Sequence, residues 1–215
     1  MTDKNYAHYV LIIDRSGSME NMKEDTEGGI KAFITEQASL PGKATLSLYQ
    51  FDTIHDRVHD FADIRSVPDY HLLPRGGTAL NDACMRAVTE TGDRLRLLAE
   101  DERPGKVIVV IATDGKENSS AEFPGTAGKA KVKEVITRQH DEYGWEFTYI
   151  GANVDAFAEA ASYGIAAASA MDYDADLSGT AWKMSSGASA RYARGQSASV
   201  SYTDTERAAA KKGKE

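Results

Sequence analysis

Tyr9-Val10-Leu11-Ile12-Ile13 forms an unbroken apolar run that stops at Asp14. A run this short, rich in β-branched residues and without alternation, suits a strand buried on both faces, as in a parallel sheet. Met19, Met22, Ile30, Phe33 and Ile34 then recur at helical spacing among acids and lysines, predicting a helix over Met19–Leu40. Gly28-Gly29 interrupts that helix and reads as a place where it approaches the sheet closely. Pro41-Gly42 marks the turn out. Two coupled strands are expected over Thr45–Phe51 and Thr53–Phe61. A helix follows over Ala79–Leu98, with Leu80, Ala83, Cys84, Ala87, Val88, Leu95 and Leu98 inward.

Lys106–Ala112 is the most apolar stretch and is expected at the sheet centre, ending at Thr113-Asp114-Gly115. A lysine-rich helix over Gly128–His140, a strand over Trp145–Ile150 and a short helix over Val154–Tyr163 complete the alternation, with a last edge strand at Ile165–Ala168. Alternating strands and helices predict an α/β fold: a doubly wound, Rossmann-like, mostly parallel sheet flanked by helices. Ligands in such sheets sit at the carboxyl ends of the strands, where both Asp14 and Asp114 fall. From about residue 179 the composition turns to Ser, Ala, Gly, Arg and Lys. The expected division is therefore one domain over 1–178 and a flexible or partner-ordered tail over 179–215.

Composition narrows the picture. The 215 residues suffice for one α/β domain with a short appendage. No apolar run approaches the roughly 20 residues of a membrane span. The polar start lacks the pattern of a secretory leader, and the single cysteine, Cys84, allows no internal disulfide. A cytoplasmic location, or one inside a phage particle, is expected, with no membrane partner. The net charge of −8 is uneven: residues 1–180 carry 18 Lys+Arg against 30 Asp+Glu, residues 181–215 carry 7 against 3. An acidic body repels nucleic acid and attracts cations.

Candidate chemistry gathers in three loops. Asp14, Ser16 and Ser18 alternate after the first strand, with Gly17 permitting a tight turn. Thr78 follows Gly76-Gly77, and Asp114 ends the central strand. Two carboxylates and three hydroxyls make a hard, all-oxygen donor set suited to Mg²⁺, Mn²⁺ or Ca²⁺ rather than zinc or copper. With only two formal negatives, a bound divalent ion would stay electrophilic enough to recruit a carboxylate from outside. The bland alternative is that Asp14 or Ser18 merely caps the following helix.

The stretch Asp14-Arg15-Ser16-Gly17-Ser18, with Gly76-Gly77-Thr78 and Thr113-Asp114-Gly115, resembles the von Willebrand factor A (integrin I-like) domain family. These positions match its metal-ion-dependent adhesion site (MIDAS), and Gly77–Ala83 resembles the segment after the family's Thr. The element order of residues 6–170 is also similar, leaving the tail unmatched. The resemblance implies the compact bacterial or phage type of this fold. It implies Mg²⁺ or Mn²⁺ held directly by Ser16 and Ser18. Asp14, Thr78 and Asp114 would bind directly or through water, and a partner protein would supply the last ligand as Glu or Asp.

Other features point elsewhere less strongly. His55 and His59, four apart on an expected strand, would stand about 13 Å apart and read as surface residues. His140 reads as a helix C-terminal residue, Cys84 as a small core hydrophobe, and Lys129, Lys131 and Lys133 as a solvated face. No phosphate-binding glycine motif is present. An aspartate ending a first strand beside a metal also resembles the haloacid-dehalogenase phosphatases, and that resemblance implies a second acid where Ser16 stands, so no Mg²⁺-dependent phosphatase or other enzyme activity is expected. The charge asymmetry raises a third reading, in which the chain is part of a larger assembly (a phage particle or an ATPase-associated machine). The basic tail would then serve in self-assembly or docking, or fold back onto its own acidic body.

Overall fold

The structure, a computed structural model, describes residues 2–212. Six strands form one sheet: β1 (Asp3–Asp14), β2 (Lys43–Phe51), β3 (His55–Asp63), β4 (Pro104–Thr113), β5 (Glu146–Ala152) and β6 (Ala170–Tyr173). Their order is β3-β2-β1-β4-β5-β6, all parallel except β3, which pairs antiparallel with β2. The apolar run of β1 is unalternating because both of its faces are covered. Tyr9, Leu11 and Ile13 point into one core; Val10 and Ile12 point into the other.

Helices α1 (Lys23–Ser39) and α5 (Ser178–Ala193) cover the first face. Helices α2 (Leu80–Leu97), α3 (Gly125–Tyr143) and α4 (Ala156–Ser162) cover the second. The chain winds from β1 through α1 toward β2, and from β4 through α3 toward β5. The reversal point of the strand order therefore lies between β1 and β4, where a crevice opens at the carboxyl ends. Register puts Ile13 opposite Ala112, so Asp14 and Thr113 emerge side by side.

Three expectations are corrected. The last strand is Ala170–Tyr173 rather than Ile165–Ala168, which forms the approach and part of a 3₁₀ turn. The run Ala166-Ala167-Ala168-Ser169-Ala170 has no alternation to fix a register. The Gly28-Gly29 pair faces a helix instead of the sheet: a Cβ on Gly29 would lie 2.6 Å from the Cβ of Trp182 in α5, whereas one on Gly28 would touch nothing.

The third correction is the largest. Residues beyond 178 are not a loose tail, because α5 packs along α1 with Trp182 fully buried. Ser178, Ser185, Ser186 and Ser189 are buried beside Ala181 and Ala188. Small residues let two helices approach closely and leave room for polar pairing. Gln37 Nε2 donates to the carbonyl and Oγ of Ser186 at 3.0 and 2.9 Å, and the Thr26 and Ser178 hydroxyls are 3.0 Å apart.

After α5 the chain returns along β6 as a strap ending in α6 (Asp204–Ala209). Val200 N–H donates to the buried carboxylate of Glu146 at 2.9 Å, and Tyr202 N–H to the carbonyl of Ala168 at 2.9 Å. Arg207 donates to the carbonyls of Ala167, Ala168 and Ala170, and Ala210 O accepts from Asp174 N–H. Among the described residues, part of the basic charge of this segment is spent on the chain itself. Arg191 pairs with Glu206, Lys211 with Asp172 and Asp174, and Lys212 with Asp176. Residues 213–215 lie outside the described residues.

Candidate metal centre

The three loops named from the sequence meet at the β1/β4 crevice. Asp14 is fully buried at the end of β1. Its Oδ1 accepts from the Ser16 N–H at 2.7 Å and its Oδ2 from the Thr113 hydroxyl at 2.5 Å. Ser16 Oγ and Ser18 Oγ lie 3.1 Å apart, and Ser18 Oγ donates to Asp114 Oδ1 at 2.7 Å. Thr78 Oγ1 closes the group from the other side: a Cβ on Gly115 would stand 3.2 Å from it. All five predicted residues therefore share one edge of the sheet.

Neither Asp14 nor Ser18 is the cap of the helix that follows. Ser16 precedes a short 3₁₀ helix over Gly17–Met22 and makes no side-chain cap bond, and Met22 occupies the cap of α1. The serine hydroxyls turn inward, toward each other and toward Asp114.

The loops are tied by contacts that the sequence reading did not assign. Arg15, between two site residues, points away from the site: its Nε donates to Asp52 at 2.8 Å and its Nη2 to Asp56 at 2.7 Å. Arg75 Nε reaches the same Asp52 oxygen at 2.7 Å, while Arg75 N–H donates to Arg15 O and Gly17 N–H to Gly76 O. These bonds zip the Asp14 loop to the Thr78 loop. Asn118 fixes Thr78 from the third loop, accepting from its N–H at 2.9 Å and donating back to its carbonyl at 3.0 Å. Asp82, in the first turn of α2, accepts from the N–H groups of Ala121, Glu122 and Phe123. Glu117 does the same for Asn81, Ser119 and Ser120. Asp and Glu two or three residues from a backbone N–H are a recognisable turn signal, but their partners across the loops are not legible in one sequence.

The electrostatics leave the site short of positive charge. Burial pushes the Asp14 carboxyl up to about 6, against the lowering effect of the Thr113 and Ser16 hydrogen bonds. Burial also raises Asp114, against its bond from Ser18. Asp114 Oδ2 is buried without any hydrogen-bond partner. A buried carboxylate oxygen with no donor is costly, and a cation among these oxygens would satisfy it. Among the described residues no group of three or more His, Cys, Asp and Glu is placed to hold a metal. The donor set is thus two carboxylates with hydroxyls, a hard oxygen set that fits Mg²⁺, Mn²⁺ or Ca²⁺.

The remaining candidates fall as follows. Cys84 is buried, with its thiol pushed above its ordinary range by burial. His55 and His59 are part-exposed on β3. His140 sits in the last turn of α3, its Nδ1 2.9 Å from the Trp145 carbonyl. The lysine face of α3 is not wholly solvated, since Lys129 pairs with Glu159 at 2.8 Å and lies over the Tyr163 ring. No helix among the described residues is long and apolar enough to cross a membrane.

Neither a family-model scan nor a search of curated proteins finds a match. Solved structures do match in fold. A von Willebrand factor type A protein from Catenulispora acidiphila aligns at TM-score 0.57 and 16% identity, over 86% of this chain and 43% of that one. Proximal thread matrix protein 1 from the mussel byssus aligns at TM-score 0.56 and 14% identity, over 84% and 45%. The ArnB paralog VWA2 from Sulfolobus acidocaldarius aligns at 0.51 and 19%, over 83% and 44%. The mussel protein has also been solved with a zinc-occupied MIDAS motif. The fold is that of von Willebrand factor A domains, and the chain spans less than half the length of these proteins.

Proposed function

We propose that this chain is a divalent-metal-dependent protein-interaction module and not an enzyme. Asp14, Ser16, Ser18, Thr78 and Asp114 would hold the ion, Mg²⁺ or Mn²⁺ in the first instance. The carrying observation is Asp114 Oδ2, a buried carboxylate oxygen without a donor amid hydroxyls that face inward. A bound ion supplies one electrophilic position for a carboxylate of a partner protein. The chain's own residues set that position. Thr113 and the Ser16 N–H orient Asp14, Ser18 orients Asp114, and the Arg15–Asp52–Arg75 ion pairs hold two of the loops in register.

Support for binding over catalysis comes from Ser16. A phosphatase using Asp14 would want a proton-carrying acid there, and the hydroxyl instead lies 3.1 Å from the Ser18 hydroxyl. A docking role for the basic C-terminal segment is not favoured, because Lys211 and Lys212 are already paired with the chain's own aspartates.

The test is a thermal melt with Mg²⁺, Mn²⁺, Ca²⁺ or EDTA on the wild type and Asp114→Ala. An ion at 100 times its dissociation constant stabilises by about 2.7 kcal/mol, so the wild type alone should rise by several degrees. Pull-down of partners should then require the ion and be lost in Thr78→Ala. No rise with any ion, or partner capture that persists in EDTA, would reject the reading.

A further inference from the structure

The end of the sheet opposite the metal loops holds a second concavity. A cavity of about 500 Å³ opens between the C-terminal halves of α2 and α3, against the start of β4 and Trp145. Small-molecule sites typically span about 300–1,000 Å³. Its inner wall is Trp145 and Gln139, only 4% and 7% exposed. Among the described residues, neither the Gln139 side-chain amide nor the Trp145 indole N–H has a hydrogen-bond partner. Both residues line the cavity, so these donors open onto it rather than being sealed in the core. Gly92 of α2 keeps that space open: a Cβ there would meet the Gln139 Nε2 at 3.3 Å and the Trp145 ring at 4.0 Å.

The rim is cationic. Arg138 is exposed and has no ion-pair partner among the described residues. Arg96 reaches only the exposed Asp93, at 3.4 Å. Arg103 is turned onto the carbonyls of Leu98 and Arg96, so it adds charge while staying fixed. Tyr143, 64% exposed, also lines the cavity.

We propose that this cavity binds a small planar organic anion. An aromatic ring would lie against Trp145 and Tyr143. An acceptor oxygen would take the Gln139 amide, and a carboxylate or phosphate would face Arg138 and Arg96. Guanidinium groups suit both oxyanions.

The test is a backbone and indole ¹H–¹⁵N titration of the full chain with salicylate, phenyl phosphate and, as a neutral control, benzyl alcohol. Saturable shifts at Gly92, the Gln139 side chain and the Trp145 indole are expected for at least one anion, and the stronger of the two names the head group. Arg138→Glu should weaken binding by roughly tenfold or more, Gly92→Leu should abolish it, and Asp114→Ala should leave it unchanged. The spectra themselves report whether each variant is folded. Three results would overturn the proposal. They are no shifts from either anion at millimolar concentration, shifts that Arg138→Glu leaves intact, and shifts matched by benzyl alcohol.

Discussion

Trp182 of α5 packs so tightly on Gly29 of α1 that a Cβ on the glycine would lie 2.6 Å from the Cβ of the tryptophan. Two adjacent glycines in one helix should therefore respond oppositely to alanine. Gly28→Ala meets open space and gains helix propensity of about 0.5–1 kcal/mol. Gly29→Ala gains the same propensity but overpacks a close helix contact, at about 1–3 kcal/mol, and should be net destabilising. Urea midpoints of the two variants against wild type decide it; equal shifts would contradict the contact.

Trp182→Ala should cost about 3–5 kcal/mol as a buried aromatic truncation. A chain ending at residue 177 loses this residue and the whole cover of the α1 face, so it should not unfold cooperatively. A shortened chain with an unchanged thermal midpoint would restore the reading of residues 179–215 as an appendage.

Thr113→Val is nearly isosteric and removes the donor to Asp14 Oδ2. A buried carboxylate oxygen without its donor costs about 1–3 kcal/mol, so the metal-free variant should lose that much at neutral pH. Its stabilisation by Mg²⁺ should also shrink, since Asp14 is no longer held in place. Calorimetric titration of Mg²⁺ into both proteins checks the second point, and identical affinities would remove Thr113 from the site's support.

His8 supplies a pH prediction independent of the metal loops. It is fully buried, stacked on Phe61 at 3.8 Å between ring centroids, with Nδ1 2.8 Å from the Thr45 hydroxyl and Nε2 unpartnered. Burial, with Arg94 nearby, pushes its pKa from 6.5 down to about 3. The unfolded chain therefore takes up a proton that the folded chain refuses. The associated stability is present in full above pH 6.5 and is lost as pH falls toward 3, by up to about 1.4 kcal/mol per pH unit. His8→Leu should flatten that part of the curve of unfolding free energy against pH.

The parts legible in the sequence are those with strong local signals. Val10 to Ile13 and Val107 to Ala112 are apolar on both faces because helices cover both, and unbroken runs announce that. That Asp14, Ser16, Ser18, Thr78 and Asp114 come together at one edge of the sheet was legible because three short loops each carried oxygen donors at strand ends. The α1–α5 interface was not. Its buried surface is one tryptophan among serines and alanines, so nothing in its hydropathy distinguishes it from a solvated segment. The Gly29 contact makes the same point, since closeness is encoded by what is missing from the glycine. The bonds of Arg15 to Asp52, of Asp82 to Ala121, Glu122 and Phe123, of Glu117 to Asn81 and of Asn118 to Thr78 escaped for another reason: each joins residues distant in sequence, and a polar side chain in a loop does not advertise its partner.

The strap along β6 has a consequence for how copies of this protein meet. An uncovered edge strand offers free N–H and C=O groups to any other strand. Here Arg207 occupies the carbonyls of Ala167, Ala168 and Ala170, and Ala210 receives the N–H of Asp174. The opposite edge, β3, carries His55, Asp56, Arg57, Asp60 and Asp63 along its length. One margin of the sheet is covered by its own chain at Ala170 and just outside both ends of the strand, and the other is studded with charge, which shortens the uninterrupted backbone on offer for the pairing from which β-aggregates grow.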